Sequence, residues 1–106
     1  MSKRGAAKIL RDAANLLDAK GWCQYVSVRD DGACCAVGSI WETETDNNLS
    51  YKTALWALEK VNPIIKRMGI AYWNDRPERT KEDVTRLFRG TARALEHGLQ
   101  VEEESE

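Results

Sequence analysis

Apolar residues recur along the first twenty positions with the spacing of a helix. Ile9, Leu10, Ala13, Leu16 and Leu17 fall on one stripe, because residues three and four apart share a helix face. Gly21 stands where a left-handed cap closes such a helix, which predicts a helix over about 5–20. The rhythm then changes. Tyr25, Val26 and Val28 favour extended chain, and Asp31-Gly32 is a tight-turn signal, so a short β-hairpin is expected, with a second strand from Ala33 to about Ala36. Gly38-Ser39 leads into "IWETET", read as a short helix.

Asn47-Asn48 marks a loop, after which Tyr51, Ala54, Leu55, Leu58 and Val61 share one sector of a helical wheel. This predicts a third helix over about 50–61. Pro63 ends or kinks it, or Asn62-Pro63 caps and starts a new short helix that reaches Met68 and closes at Gly69. In the stretch "AYWNDRPERT" two turn-forming polar residues follow Trp73, and Pro77 stiffens the approach to Thr80. Thr80 is a good N-cap, with Glu82 and Asp83 in the first turn to suit the helix dipole. Val84, Leu87, Phe88, Thr91, Ala92 and Leu95 make the buried stripe of a last helix over about 81–97, which Gly98 stops. "NDRPERT" thus reads as the loop that leads into this helix, with Trp73 as its anchor in the core. The fold class expected is mainly α (α+β): a small domain of about four helices with one short β-hairpin.

The 106 residues suffice for one core and not for two. The expected organisation is a single globular domain over 1–99 followed by a disordered acidic tail, 100–106. With 42% hydrophobic and 31% charged residues, the chain has the composition of a globular protein, and its stability should be on the order of 5–10 kcal/mol. No apolar run approaches the roughly 18 residues of a membrane span, and "MSKRGAAKIL" carries no signal-peptide pattern. A cytoplasmic protein with no membrane partner is expected.

The net charge of −1 gives no overall attraction to nucleic acid. Its distribution is uneven: residues 1–20 hold five Lys/Arg against two Asp, and 76–93 hold six Lys/Arg against three Asp/Glu. On the last helix Arg86, Arg89 and Arg93 lie opposite the apolar stripe, just downstream of Arg76, Arg79 and Lys81. Such a row can follow a phosphate backbone. Glu82 and Glu96 sit one turn away and partly neutralise it, so a small nucleic-acid-binding regulator is the alternative reading.

Cys23, Cys34 and Cys35 form no disulfide framework, being odd in number and including an adjacent pair. With His97 they would offer zinc-type ligands, but no paired Cys-x-x-Cys knuckle is present and buried cysteine is commonplace. No metal site and no cofactor are expected. A thiol enzyme could be assembled from Cys23, His97 and Asn74 or Asp75. His97, however, falls in the last helical turn, where a cation suits the dipole for structural reasons. An enzyme or ligand binder built on Cys23, Gln24, Asn74 and Asp75 is the third reading.

Four tryptophans are many for so small a core. Trp56 falls outside the apolar sector of its helix, almost opposite Tyr51, so it either meets a second layer or is an exposed interface anchor. Should Trp22-Cys23-Gln24 lie beside Trp73-Asn74-Asp75, two Trp-plus-polar segments would line one shallow site. The candidate interaction surface is accordingly Trp22, Cys23, Gln24, Trp56, Trp73, Asn74, Asp75, Arg76 and Arg79. The first expectation is a non-enzymatic module that binds a protein partner through aromatic and arginine side chains.

Three ordered motifs are Gly21-Trp22-Cys23-Gln24, Cys35-Ala36-Val37-Gly38-Ser39-Ile40 and Trp73-Asn74-Asp75-Arg76-Pro77-Glu78-Arg79-Thr80. Together they resemble a family of small proteins of actinobacteria and their bacteriophages, classed as a domain of unknown function. The resemblance spans residues from about 8 to 95. Cys34 has no counterpart in the pattern. The resemblance implies an actinobacterial or phage origin and carries over no catalytic residue.

Overall fold

The computed structural model describes residues 2–43 and 49–99. Six helices follow in order among them: α1 (Ser2–Lys20), α2 (Ala36–Thr43), α3 (Leu49–Val61), α4 (Pro63–Met68), α5 (Ile70–Asn74) and α6 (Lys81–Glu96). The predicted stripes become the core. Leu10, Ala13 and Leu17 of α1 meet Ala54 and Leu58 of α3 and Val84, Phe88 and Ala92 of α6. α6 lies along α1, and α2 and α3 pack on its other sides. Arg11 pairs with Glu96 while Asp18 pairs with Lys81, so α1 and α6 run antiparallel.

The helix ends follow local chemistry. Gly21 takes φ +103° and returns its N–H to Leu17 O at 2.9 Å, the left-handed closure expected of a glycine past a helix end. Asn62 caps α4 by accepting from Ile64 N, with Pro63 in the first position, which settles the two readings of Asn62-Pro63 in favour of a new helix. Thr80 Oγ1 accepts from Asp83 N at 3.1 Å and Thr80 N donates to Asp83 Oδ2 at 3.0 Å, a reciprocal capping box that fixes where α6 begins.

Three expectations are corrected. The number of helices among the described residues is six, not about four, because Asn62-Pro63 starts α4 apart from α3 and Gly69 (φ +90°) separates α4 from α5. The hairpin does not form a ladder among the described residues. Cys34 makes two isolated bridges, one parallel to Trp22 and one antiparallel to Val28, and Ala36 starts α2 instead of ending a strand. The turn itself is present, with Gly32 N donating to Arg29 O at 2.8 Å and Ala33 N to Asp31 Oδ1 at 3.1 Å. What interrupts the strand is Tyr25, whose φ of +76° turns residues 24–27 away from the ladder. Val61 is exposed, not part of the buried sector, because the chain turns into α4 directly after it. The Asn47-Asn48 loop, the end of the "IWETET" helix and the acidic tail lie outside the described residues.

Candidate functional site

Asn74 closes α5 and is fully buried. Its amide oxygen accepts from Trp22 Nε1 at 2.7 Å and from Ala36 N at 3.0 Å, and its amide nitrogen donates to Cys23 O at 3.2 Å. One side chain thereby joins three segments: the loop after α1, the start of α2 and the end of α5. Gln24 adds a second tie, donating from Nε2 to Asn74 O (3.1 Å) and Arg76 O (2.9 Å). The Trp22-Cys23-Gln24 and Trp73-Asn74-Asp75 segments are thus neighbours, and their polar groups are spent on each other.

The remaining predicted surface residues divide sharply. Trp73 and Cys23 are buried, Trp22 and Trp56 half-buried. The Arg79 guanidinium stacks 4.0 Å from the Trp73 ring centre and donates from Nε to Trp73 O at 2.9 Å. Arg79 therefore clamps the loop to α5. Arg76 lies outside, 5.8 Å over the Tyr72 ring and 3.4 Å from Glu78. On α6, Arg89 reaches Asp18 (2.8 Å) and Asn15 (2.9 Å) of α1, and Arg86 lies 3.7 Å from Asp83. Arg93 helps hold the Glu96 carboxyl below its usual range, after the larger effect of the Arg11 hydrogen bond.

What the knot displays is a shallow cleft of about 140 Å³, lined by Tyr25, Val26, Cys35, Val37, Ala71 and Asp75 together with Ser27. Tyr25 stands at its mouth, 72% exposed. Its backbone is in the left-handed region, which a tyrosine adopts only at a cost of about 1–3 kcal/mol. The cost is offset by Asp75. Oδ1 accepts from Tyr25 N at 2.9 Å, and Asp75 O accepts from the Tyr25 hydroxyl at 3.4 Å. Tyr72, on α5, and Trp41, on α2, are also exposed. Sequence reasoning missed Tyr25, Val26 and Tyr72 because a strand reading assigned the first two to a sheet. The Tyr-Val-Ser-Val run was visible, but nothing local announced the positive φ.

Burial pushes the Cys23 and Cys34 thiols up from their ordinary value, away from the reactive thiolate. Cys35 Sγ accepts from Gly38 N at 3.3 Å. His97 stands at the far end of α6 from the Cys23 loop, a helix of 16 residues spanning about 24 Å. Among the described residues no group of three or more His, Cys, Asp or Glu could hold a metal ion, and no helix is long and apolar enough to cross a membrane.

Fold and site together define a small, mainly helical domain whose loops are locked by the buried Asn74 and half-buried Gln24 amides beneath a short exposed aromatic surface. The chain belongs to a family of unknown function, DUF6197, whose model matches residues 1–94. Searches of the curated proteins and of the solved structures gave no significant match.

Proposed function

We propose that this chain is a non-enzymatic protein-binding module, cytoplasmic and of actinobacterial or phage setting, that seats one side chain of a protein partner in the cleft beside Tyr25. The observation that carries this reading is the pairing of an exposed, backbone-constrained tyrosine with a recess of about 140 Å³. Pockets for whole small molecules run from about 300 to 1,000 Å³. A recess half the lower bound suits a single side chain, the way partner anchors enter a surface. Tyr72, stacked with Arg76, extends the surface with the residue types that dominate protein interfaces. Raised thiol pKa values at Cys23 and Cys34 speak against covalent catalysis. The nucleic-acid reading loses support because Arg86 and Arg89 are engaged with carboxylates of their own chain.

The test is capture of partners by tagged protein from an actinobacterial lysate, with and without nuclease, beside a Tyr25→Ala variant. Alanine retains a Cβ, so the backbone strain is equal and the Asp75 bond to the residue 25 amide is kept, while the ring and its hydroxyl are lost. A stoichiometric protein that survives nuclease and is weakened about 30-fold or more by Tyr25→Ala is the expected result. Recovery of nucleic acid alone, lost on Arg86→Glu/Arg93→Glu and unaffected by Tyr25→Ala, overturns it.

A further inference from the structure

The corner where α3 passes into α4 carries a second surface, unlike the first in composition. Lys60, Val61, Pro63, Ile64, Lys66 and Arg67 are all exposed there, with Val61 at 43% and Ile64 at 52%. Elsewhere the described cations are mostly answered by carboxylates. Arg11 has Glu96, Arg29 has Asp31, Lys81 and Arg89 share Asp18, and Arg86 leans on Asp83. The side chains of Lys60, Lys66 and Arg67 make no ion pair and no hydrogen bond among the described residues. The nearest acid in sequence is the half-buried Glu59. A chain with a net charge of −1 thus gathers three uncompensated cations within eight residues, around aliphatic side chains it leaves in water.

We infer that this corner is a peripheral docking site for an anionic lipid surface, one the chain touches without crossing. Two features choose lipid over an acidic protein. Lysine is depleted at protein interfaces, where aromatic residues and arginine prevail; this corner has two lysines and no aromatic, whereas the Tyr25 face has the opposite composition. Aliphatic side chains ringed by Lys/Arg are also the pattern of surfaces that lie at a lipid interface, the apolar groups entering the acyl boundary and the long cationic stems reaching headgroup phosphates. Each cation near such a surface strengthens binding about fivefold, so three favour anionic over neutral lipid about a hundredfold. The attraction is screened as the Debye length shrinks from about 10 Å at 0.1 M salt to about 3 Å at 1 M.

The experiment is co-sedimentation of the full chain with vesicles of phosphatidylcholine alone, or with about a third phosphatidylserine, at low and high salt. Binding only to the anionic vesicles, lost at high salt, is expected. Lys66→Glu/Arg67→Glu should reduce partition at least 25-fold, about fivefold for each cation removed. Ile64→Ser should weaken binding to the anionic vesicles at low salt, where the parent binds, without removing its dependence on anionic lipid. These side chains are exposed, so unchanged circular dichroism will show that the variants fold. Tyr25→Ala should bind vesicles as the parent does, which separates this site from the protein-binding face. Equal binding to neutral vesicles, no binding at all, or binding indifferent to Lys66→Glu/Arg67→Glu each overturns the inference. Capture of polyglutamate through the same residues, without vesicle binding, would assign the corner to an acidic protein.

Discussion

Asn74 is the residue on which the candidate site turns. Its amide oxygen and nitrogen answer three buried or half-buried groups that have no other partner among the described residues: Trp22 Nε1–H, Ala36 N–H and Cys23 C=O. A hydrogen bond adds only about 1 kcal/mol net, but stranding a buried donor or acceptor costs about 1–3 kcal/mol each. Asn74→Ala should therefore cost about 3 kcal/mol or more, a large part of the stability of a domain this size. Urea unfolding followed by circular dichroism measures it; a loss under 1 kcal/mol would mean that the three groups find new partners and that Asn74 is replaceable. The neighbouring Asp75 secures the strained Tyr25 backbone by one carboxylate oxygen. Both roles belong to side chains that join segments some fifty residues apart, and neither is legible locally. The sequence shows that Asn and Asp suit a turn at 74–75; it does not show that the turn grips the loop after α1.

Among the elements, those with their own start and stop chemistry were legible. Thr80 with Asp83, Asn62 with Pro63, and Gly21 each act on backbone within a few residues, so α6, α4 and the end of α1 could be read from composition. α5, with five residues, is too short to display a period. The hairpin failed for the converse reason, since Tyr25-Val26-Val28 has strand propensity but the tertiary ties of Gln24 to Asn74 and of Tyr25 to Asp75 override it. α2 is seated by a different device. A Cβ on Gly38 would lie 2.1 Å from Ser27 O, a backbone atom, so only glycine lets the 24–28 loop lie against α2. Gly38→Ala must push that loop away, dismantling the cleft between Val26 and Val37 at a cost of about 2–4 kcal/mol. Gly90 lies on α6 in open space, where an added methyl group would meet nothing within 4 Å, so Gly90→Ala should stabilise by about 0.5–1 kcal/mol through helix propensity. Thermal unfolding of the two variants should thus move in opposite directions, by about 4–8 °C per kcal/mol; a Gly38→Ala protein as stable as the parent would contradict the packing described.

The whole molecule is held along the α1–α6 seam, where an apolar stripe is flanked by ion pairs at both ends. Arg11 grips Glu96 through two hydrogen bonds of 2.9 and 2.7 Å, and Asp18 receives Arg89 at 2.8 Å and Lys81 at 3.3 Å. Exposed pairs of this kind contribute under about 1 kcal/mol each, so the core supplies the stability and the pairs set the antiparallel alignment. They also make stability depend on pH. The Arg89 hydrogen bond holds the Asp18 carboxyl below its ordinary range, the Arg11 hydrogen bond does the same for Glu96, and Arg29 with the Ala33 amide brings Asp31 down to about 2. Carboxyls whose folded pKa is depressed stabilise the fold fully above their unfolded values near pH 4, and this contribution is lost as pH falls through the folded values. The midpoint of urea unfolding should therefore hold steady from pH 7 to about 5 and decline from about pH 4 towards 2. Asp18→Asn should start lower at neutral pH, by about 1 kcal/mol or less, and show a shallower decline in acid because one depressed carboxyl is gone. Acid limbs of identical steepness in the two proteins would mean that Asp18 titrates alike in the folded and unfolded chains, and that its pairs with Arg89 and Lys81 do not help to align this end of the seam.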